Sequence, residues 1–122
     1  MNWHFQDGSP IYTQLIGQIR QGIVSGAFRP GERLPSVRDL AMGAGVNPNT
    51  MQRALSELER EGLLYSARTA GRYVTDDVRL VNSLKRRLAE GQIEAFLREM
   101  RELGFGNEEL LDILRQELEK EE

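Results

Sequence analysis

Hydrophobic positions recur at helical spacing through most of this chain, broken once by a stretch that reads as strand. Ile11, Leu15, Ile19 and Ile23 fall at intervals of four and predict a first helix with one apolar stripe. Ser9 is placed to cap it, Pro10 to occupy its first helical position, and Gly26 to end it. Phe28 is expected to close over the stripe before the turn at Arg29-Pro30-Gly31. A second, shorter helix starts at Ser36, with Asp39 three residues on in near capping-box spacing and Val37, Leu40, Ala41 and Ala44 inward. Gly43 and Gly45 end it. Asn47 then caps a third helix, and Pro48 stands in its first turn. Met51, Ala54, Leu55 and Leu58 form the inner face of that helix, so Asn49, Gln52, Arg53 and Ser56 lie on its outer side. After Gly62 the pattern changes. Residues 63–67 and 72–75 read as two short strands joined by Arg68-Thr69-Ala70-Gly71. Two strands alone are marginal, so they must lean on the helices.

The remainder, from Asp76-Asp77 on, is helical again. Val81, Leu84 and Leu88 make one stripe, and Ile93, Phe96, Leu97, Met100 and Leu103 make another. The five-residue step from Leu88 to Ile93 contains Gly91, and predicts either one kinked helix or two helices broken there. Gly104 suits a C-cap. Asn107 is expected to cap a last helix with Leu110, Leu111, Leu114 and Leu118 inward. At the other end of the chain, Trp3 and Phe5 are expected to pack the first residues onto the body.

Composition removes several kinds of chemistry. With no cysteine there is no disulfide, thiolate nucleophile or Cys-based zinc site. His4 is the single histidine and reads as a surface or packing residue; no metal ligands, catalytic residues or cofactor site are expected. No Gly-rich stretch has the spacing of a phosphate-cradling loop. The carboxylates of the tail read as solvated helix surface, so the chain is not expected to be an enzyme. The first 20 residues lack a basic start followed by an apolar stretch, so no secretory leader is expected, and no run of 18 apolar residues predicts a membrane span. The absence of cysteine fits a reducing cytosol, and a cytoplasmic protein is expected. The net charge of −3 argues at first against nucleic acid. Its distribution reverses that. Residues 29–74 hold seven Arg against five acidic residues, a balance of +2. Residues 79–122 hold eight basic and eleven acidic residues, a balance of −3. A basic face can therefore meet phosphates while the acidic part points away.

The order helix, helix, turn, helix and hairpin predicts a mostly α, α+β fold. It comprises a winged helix-turn-helix over 1–76, with a small two-stranded wing, and a helical segment over 77–122. In that fold the third helix enters the major groove of duplex DNA and its N-terminal residues meet base edges. Here those residues are Asn47, Asn49, Thr50, Gln52 and Arg53. Asn and Gln can bond bidentately to adenine, and Arg to guanine or phosphate. Ser36 and Arg38 suit phosphate contacts that set register, and Arg68, Thr69 and Arg72 sit at or beside the wing tip. A merely solvated face is the alternative for a lone helix. It fits poorly here, because uncharged amides cluster at the helix N-terminus while Glu57, Glu59 and Glu61 lie toward its far end. A winged-helix module that binds protein and not DNA is the rival function, since fold alone does not settle function.

Residues 10–74 resemble the N-terminal DNA-binding domain of the GntR family of bacterial transcription regulators. The resemblance is carried by Pro30-Gly31, Leu34-Pro35-Ser36, Arg38, Leu40-Ala41, Gly45-Val46, Thr50, Ala54, Leu58, Glu61-Gly62, Gly71 and Tyr73-Val74. Pro10-Ile11-Tyr12, Asn47-Pro48-Asn49-Thr50 and the short C-terminal part are similar to the YtrA subfamily. The resemblance implies a dimeric operator-binding regulator, often a repressor of neighbouring transporter genes. Two departures stand out. Thr69 replaces the first Gly of the family's Arg-Gly-x-Gly wing, and Pro48 stands where several members carry a basic residue. Base readout then falls on Asn47, Asn49, Gln52 and Arg53.

The tail, residues 79–122, has 44 residues, barely above the ~40 below which a segment rarely supports its own core. Its apolar stripes need a cover. A second copy supplies one and also brings two reading heads to two half-sites of a palindromic operator. Leu97, Met100, Leu111, Leu114 and Leu118 are the expected dimerisation residues. Folding back on the winged helix is the alternative. So short a tail offers no walls for a built-in effector cavity, and leaves a shallow pocket at the dimer interface as the place for an unknown small-molecule effector.

Overall fold

The computed structural model describes residues 1–67 and 71–121. Arg68 and Thr69 lie outside the described residues. The element order is α1 (Ile11–Ser25), α2 (Val37–Ala44), α3 (Pro48–Arg60), β1 (Leu64–Ser66), β2 (Arg72–Val74), α4 (Val78–Glu102) and α5 (Asn107–Lys120). The chain forms two compact units, Met1–Lys85 and Arg86–Glu122.

In the first unit, α1, α2 and α3 bury their stripes together. Leu15, Ile19, Leu40, Met51, Leu55 and Leu58 are almost wholly excluded from water. The start of α1 departs from expectation. Pro10, with φ −59° and ψ 142°, is the N-cap, no side chain caps the helix, and Ile11 at its first position is 38% exposed. Ser9 is not the cap; its carbonyl instead accepts the Gln14 side-chain amide at 2.9 Å. The extended backbone that Pro10 holds sets the helix start one residue later. Gly26, at φ +85°, ends α1. Phe28 does cover this end. Its ring lies where a Cβ on Gly22 would sit, only 2.8 Å away.

The N-terminal segment pairs with α1 through main-chain atoms. Gln14 accepts from the Gln6 amide and donates to the Gln6 carbonyl, both at 2.8 Å. Gln18 makes the same exchange with His4 one turn later. Trp3 and Phe5 alternate with these residues and stack on each other, 6.1 Å between centroids.

The wing pairs antiparallel, Leu64 with Val74, Tyr65 with Tyr73 and Ser66 with Arg72. It leans on the helices as expected, with Leu63, Leu64 and Val74 buried. A further pairing was not legible in the sequence. Residues 31–34 run along β2, with Gly31 donating to Val74, Val74 to Glu32, and Leu34 to Arg72, all within 2.8–2.9 Å. This turn-like stretch thus fixes the wing to the entrance of α2. Asp77 accepts from the Leu80 amide at 3.1 Å and opens α4, whose Leu84 is buried.

α4 continues unbroken through Gly91, so the two-helix alternative is corrected. A single Gly costs only about 1 kcal/mol relative to Ala in a helix, too little to end one with favourable residues on both sides. In the second unit, Gly104 at φ +97° terminates α4. Asn107 does not cap α5. It is the first helical residue, and Gly106 stands at the N-cap with its amide donating to Glu109 Oε1 at 3.3 Å. Of the α5 leucines only Leu110 is buried within the chain; Leu111 and Leu118 are more than half exposed. No helix among the described residues is long and apolar enough to cross a membrane.

Candidate nucleic-acid interface

Two helix N-termini and the wing build the surface in question. Ser36 Oγ accepts from the Asp39 amide at 3.1 Å and so starts α2. Its hydroxyl proton is still available to an outside acceptor such as phosphate. Arg38, the second residue of α2, is exposed and makes no ion pair among the described residues. Gly45, left-handed at φ +70°, turns the chain so that α3 can follow at once. Asn47 Oδ1 caps α3, accepting from the Asn49 amide at 2.7 Å. One lone pair of the Asn47 oxygen is thereby used, and the other lone pair and the amide NH2 are what it can offer a ligand.

Along the first turns of α3, Asn49, Gln52 and Arg53 are exposed and Thr50 is half-buried. No acidic residue stands in the first turn. The positive end of the helix dipole and uncharged donors therefore face the same way, which favours an anion. Arg53 lies over the ring of Tyr12 from α1, 4.5 Å from its centroid. A planar guanidinium held on an aromatic face loses less freedom on binding than a loose one.

Arg72 is placed differently from a free wing cation. Its Nε donates to Glu59 Oε1 at 2.8 Å and its Nη1 to Gln52 Oε1 at 3.3 Å. Only 14% of its side chain is exposed. Ser66 Oγ donates to the same Glu59 oxygen. Glu57, Glu59 and Glu61 make the acidic far end of α3 that the sequence predicts. All three have partners: both Glu61 oxygens accept from Arg20 Nη2 of α1 at 2.8 Å, and Oε1 also accepts from its Nε at 3.2 Å. Glu57 pairs with exposed Arg60, and its hydrogen bond and charge raise the Arg60 pKa above the ordinary value. Arg33, which the sequence did not single out, is exposed beside Gly71, 3.7 Å from where a Cβ would stand there. Only its pairing with Tyr73, invisible in a linear pattern, brings it to the wing.

A turn-linked helix pair, a polar and non-acidic N-terminal half on the second of them, and a hairpin pinned beside it define a winged helix-turn-helix protein. The chain belongs to the gntR family of bacterial regulatory proteins, whose family model matches residues 11–74. It is 40% identical over 112 residues to YhcF of Bacillus subtilis, an uncharacterised HTH-type transcriptional regulator, covering 92% of this chain and 93% of that one. It is 36% identical over 98 residues to the HTH-type transcriptional repressor YtrA of the same organism, covering 80% and 71%. A solved GntR family transcriptional regulator from Listeria monocytogenes superposes with a TM-score of 0.84 at 38% identity, covering 92% and 98%. The chain is thus a YtrA-like, DNA-binding transcription regulator and not an enzyme.

Proposed function

We propose that this regulator is a homodimeric repressor that binds a palindromic operator in the cytoplasm, and that transporter genes are among its targets. The observation that carries the reading is the exposed, non-acidic start of α3 with Asn49, Gln52 and Arg53. A protein-binding module would carry acidic or apolar residues there. Ser36, Arg38, Arg68 and Thr69 are the proposed phosphate contacts, and Asn47, Asn49, Thr50, Gln52 and Arg53 the proposed base readers. The repressor assignment draws on the likeness to YtrA, which is named a repressor. The dimer draws on the apolar tail, where Leu103, Leu111 and Leu118 are 72%, 60% and 64% exposed. Leucines so exposed are a site for association or a liability.

The test separates positioning from readout. Affinity for an operator should fall with salt at roughly −0.9 in log–log slope per phosphate contact. Arg38→Ala should weaken cognate and unrelated duplexes alike and flatten that slope. Asn49→Ala should cost ~1–3 kcal/mol on the cognate duplex alone. Salt-independent binding, or equal losses for Asn49→Ala on both duplexes, would refute the interface.

A further inference from the structure

The polar strip along α3 that faces the wing is a wired unit. Gln52, Ser56 and Glu59 stand at i, i+4 and i+7, one face of the helix. Opposite them, Ser66 and Arg72 are a cross-strand pair, so both donors reach the same carboxylate. The guanidinium bridges Glu59 at one end of the strip and Gln52 at the other. Because a guanidinium can only donate, the Gln52 atom that faces it must be the oxygen. The Gln52 nitrogen then points away, one N–H at the long distance of 3.5 Å from Ser56 Oγ and the other without a partner among the described residues.

We propose that Arg72, anchored by Glu59, is a positioning residue that holds Gln52 by its amide oxygen and so sets this position of the recognition helix to read guanine over adenine. The proposal rests on the DNA-binding reading above and deepens it. Bidentate recognition of adenine needs the Gln oxygen to accept from N6 and the nitrogen to donate to N7. Here the oxygen already accepts from a cation, so an N6 amino group would have to approach beside another donor. Guanine presents acceptors only, O6 and N7, to the outward N–H and to the positive charge behind it. The same tie explains why Arg72 is nearly covered although it belongs to the wing: its fork is directed at α3. The Glu59 carboxylate cancels part of its charge, which suits a brace better than a phosphate contact.

A randomised duplex pool is selected with the whole protein, and Gln52→Ala identifies the base pair whose preference depends on position 52. Guanine and adenine versions of that duplex, and an unrelated duplex, are then titrated. Guanine is expected there in the parent. Glu59→Gln keeps the shape of the anchor but removes its charge, and should reduce the guanine-over-adenine ratio roughly five- to tenfold. Affinity for the unrelated duplex should hold or rise, because the freed Arg72 can then reach phosphate. Arg72→Lys keeps the cation but not the fork and should lose the same preference. Thermal unfolding of each variant shows whether folding is kept, and ratios are compared at fixed folded fraction. Adenine in the parent, a Gln52→Ala protein with no altered position, or variants that weaken all three duplexes in proportion would overturn the proposal. A parent that enriches no sequence would instead overturn the DNA-binding reading itself.

Discussion

At Gly22 one absent carbon decides how the connection between α1 and α2 is packed. The Phe28 ring occupies the space a Cβ would need, at 2.8 Å, and the Phe28 amide donates to the Gly22 carbonyl at 2.9 Å. Two opposed effects meet in Gly22→Ala. Helix propensity favours alanine by about 1 kcal/mol, and overpacking costs about 1–3 kcal/mol. The ring is half-buried and its backbone is tied to the Gly22 carbonyl, so it cannot swing clear and we expect net destabilisation in urea unfolding. In a Phe28→Ala background the same change should become stabilising; an unchanged sign there would show that ring and glycine are not coupled. Local features were legible in part: Ser9 and Asn107, expected as caps, do not cap their helices. Ser36 and Asn47 do cap as their positions predict, and each accepts an amide two or three residues on. Arg72 was not legible in the same way. Its partners Glu59 and Gln52 are set by strand register and helix phase together, and a linear pattern carries neither.

Among the elements, α4 separates pattern from continuity. The apolar stripe changes phase across Gly91, yet the helix does not stop. A phase change only moves the stripe to another face, whereas ending a helix requires a cap or an incompatible residue. Nothing lies within 4 Å of where a Gly91 Cβ would be. Gly91→Ala should therefore add helical stability of about 0.5–1 kcal/mol without disturbing packing, seen as a higher melting temperature by circular dichroism. A fall in stability would mean that the backbone freedom of glycine is used there. The short 31–34 pairing escaped the sequence reading for a different reason. Glu32 and Arg33 are charged and lack strand character, and they pair only because β2 offers a free edge.

For the whole molecule, the chain divides into two compact units at Lys85 and Arg86, inside α4, whereas the sequence places the boundary at residues 76 and 77. The first holds the three helices and wing that were read with little error, since their stripes close on one another within the chain. The second could be read as helices but not as a packed body, because the chain alone leaves most of its leucines uncovered. If a second copy covers them, Leu114→Glu must desolvate an unpaired carboxylate at that face, a cost of several kcal/mol. We expect monomers by light scattering and a sharp loss of affinity for a two-half-site duplex, as the second head no longer gains from effective concentration. The winged helix should keep its unfolding transition, its core being its own. A dimeric Leu114→Glu protein, or a monomer that binds the full duplex as tightly as the parent, would exclude the tail as the dimerisation element.

The Gln14 and Gln18 clasp on the first residues has a consequence for how this chain can drift. Both glutamines grip amides and carbonyls of His4 and Gln6, so the clasp is blind to which side chains those positions bear. Codons 4 and 6 are free to change, provided proline, which has no amide proton, is avoided. Codons 14 and 18 are not: a single-base change to glutamate would set a carboxylate against carbonyl oxygens. Among relatives of this chain, positions 4 and 6 of the held segment should therefore vary more than positions 14 and 18 of the helix that holds it.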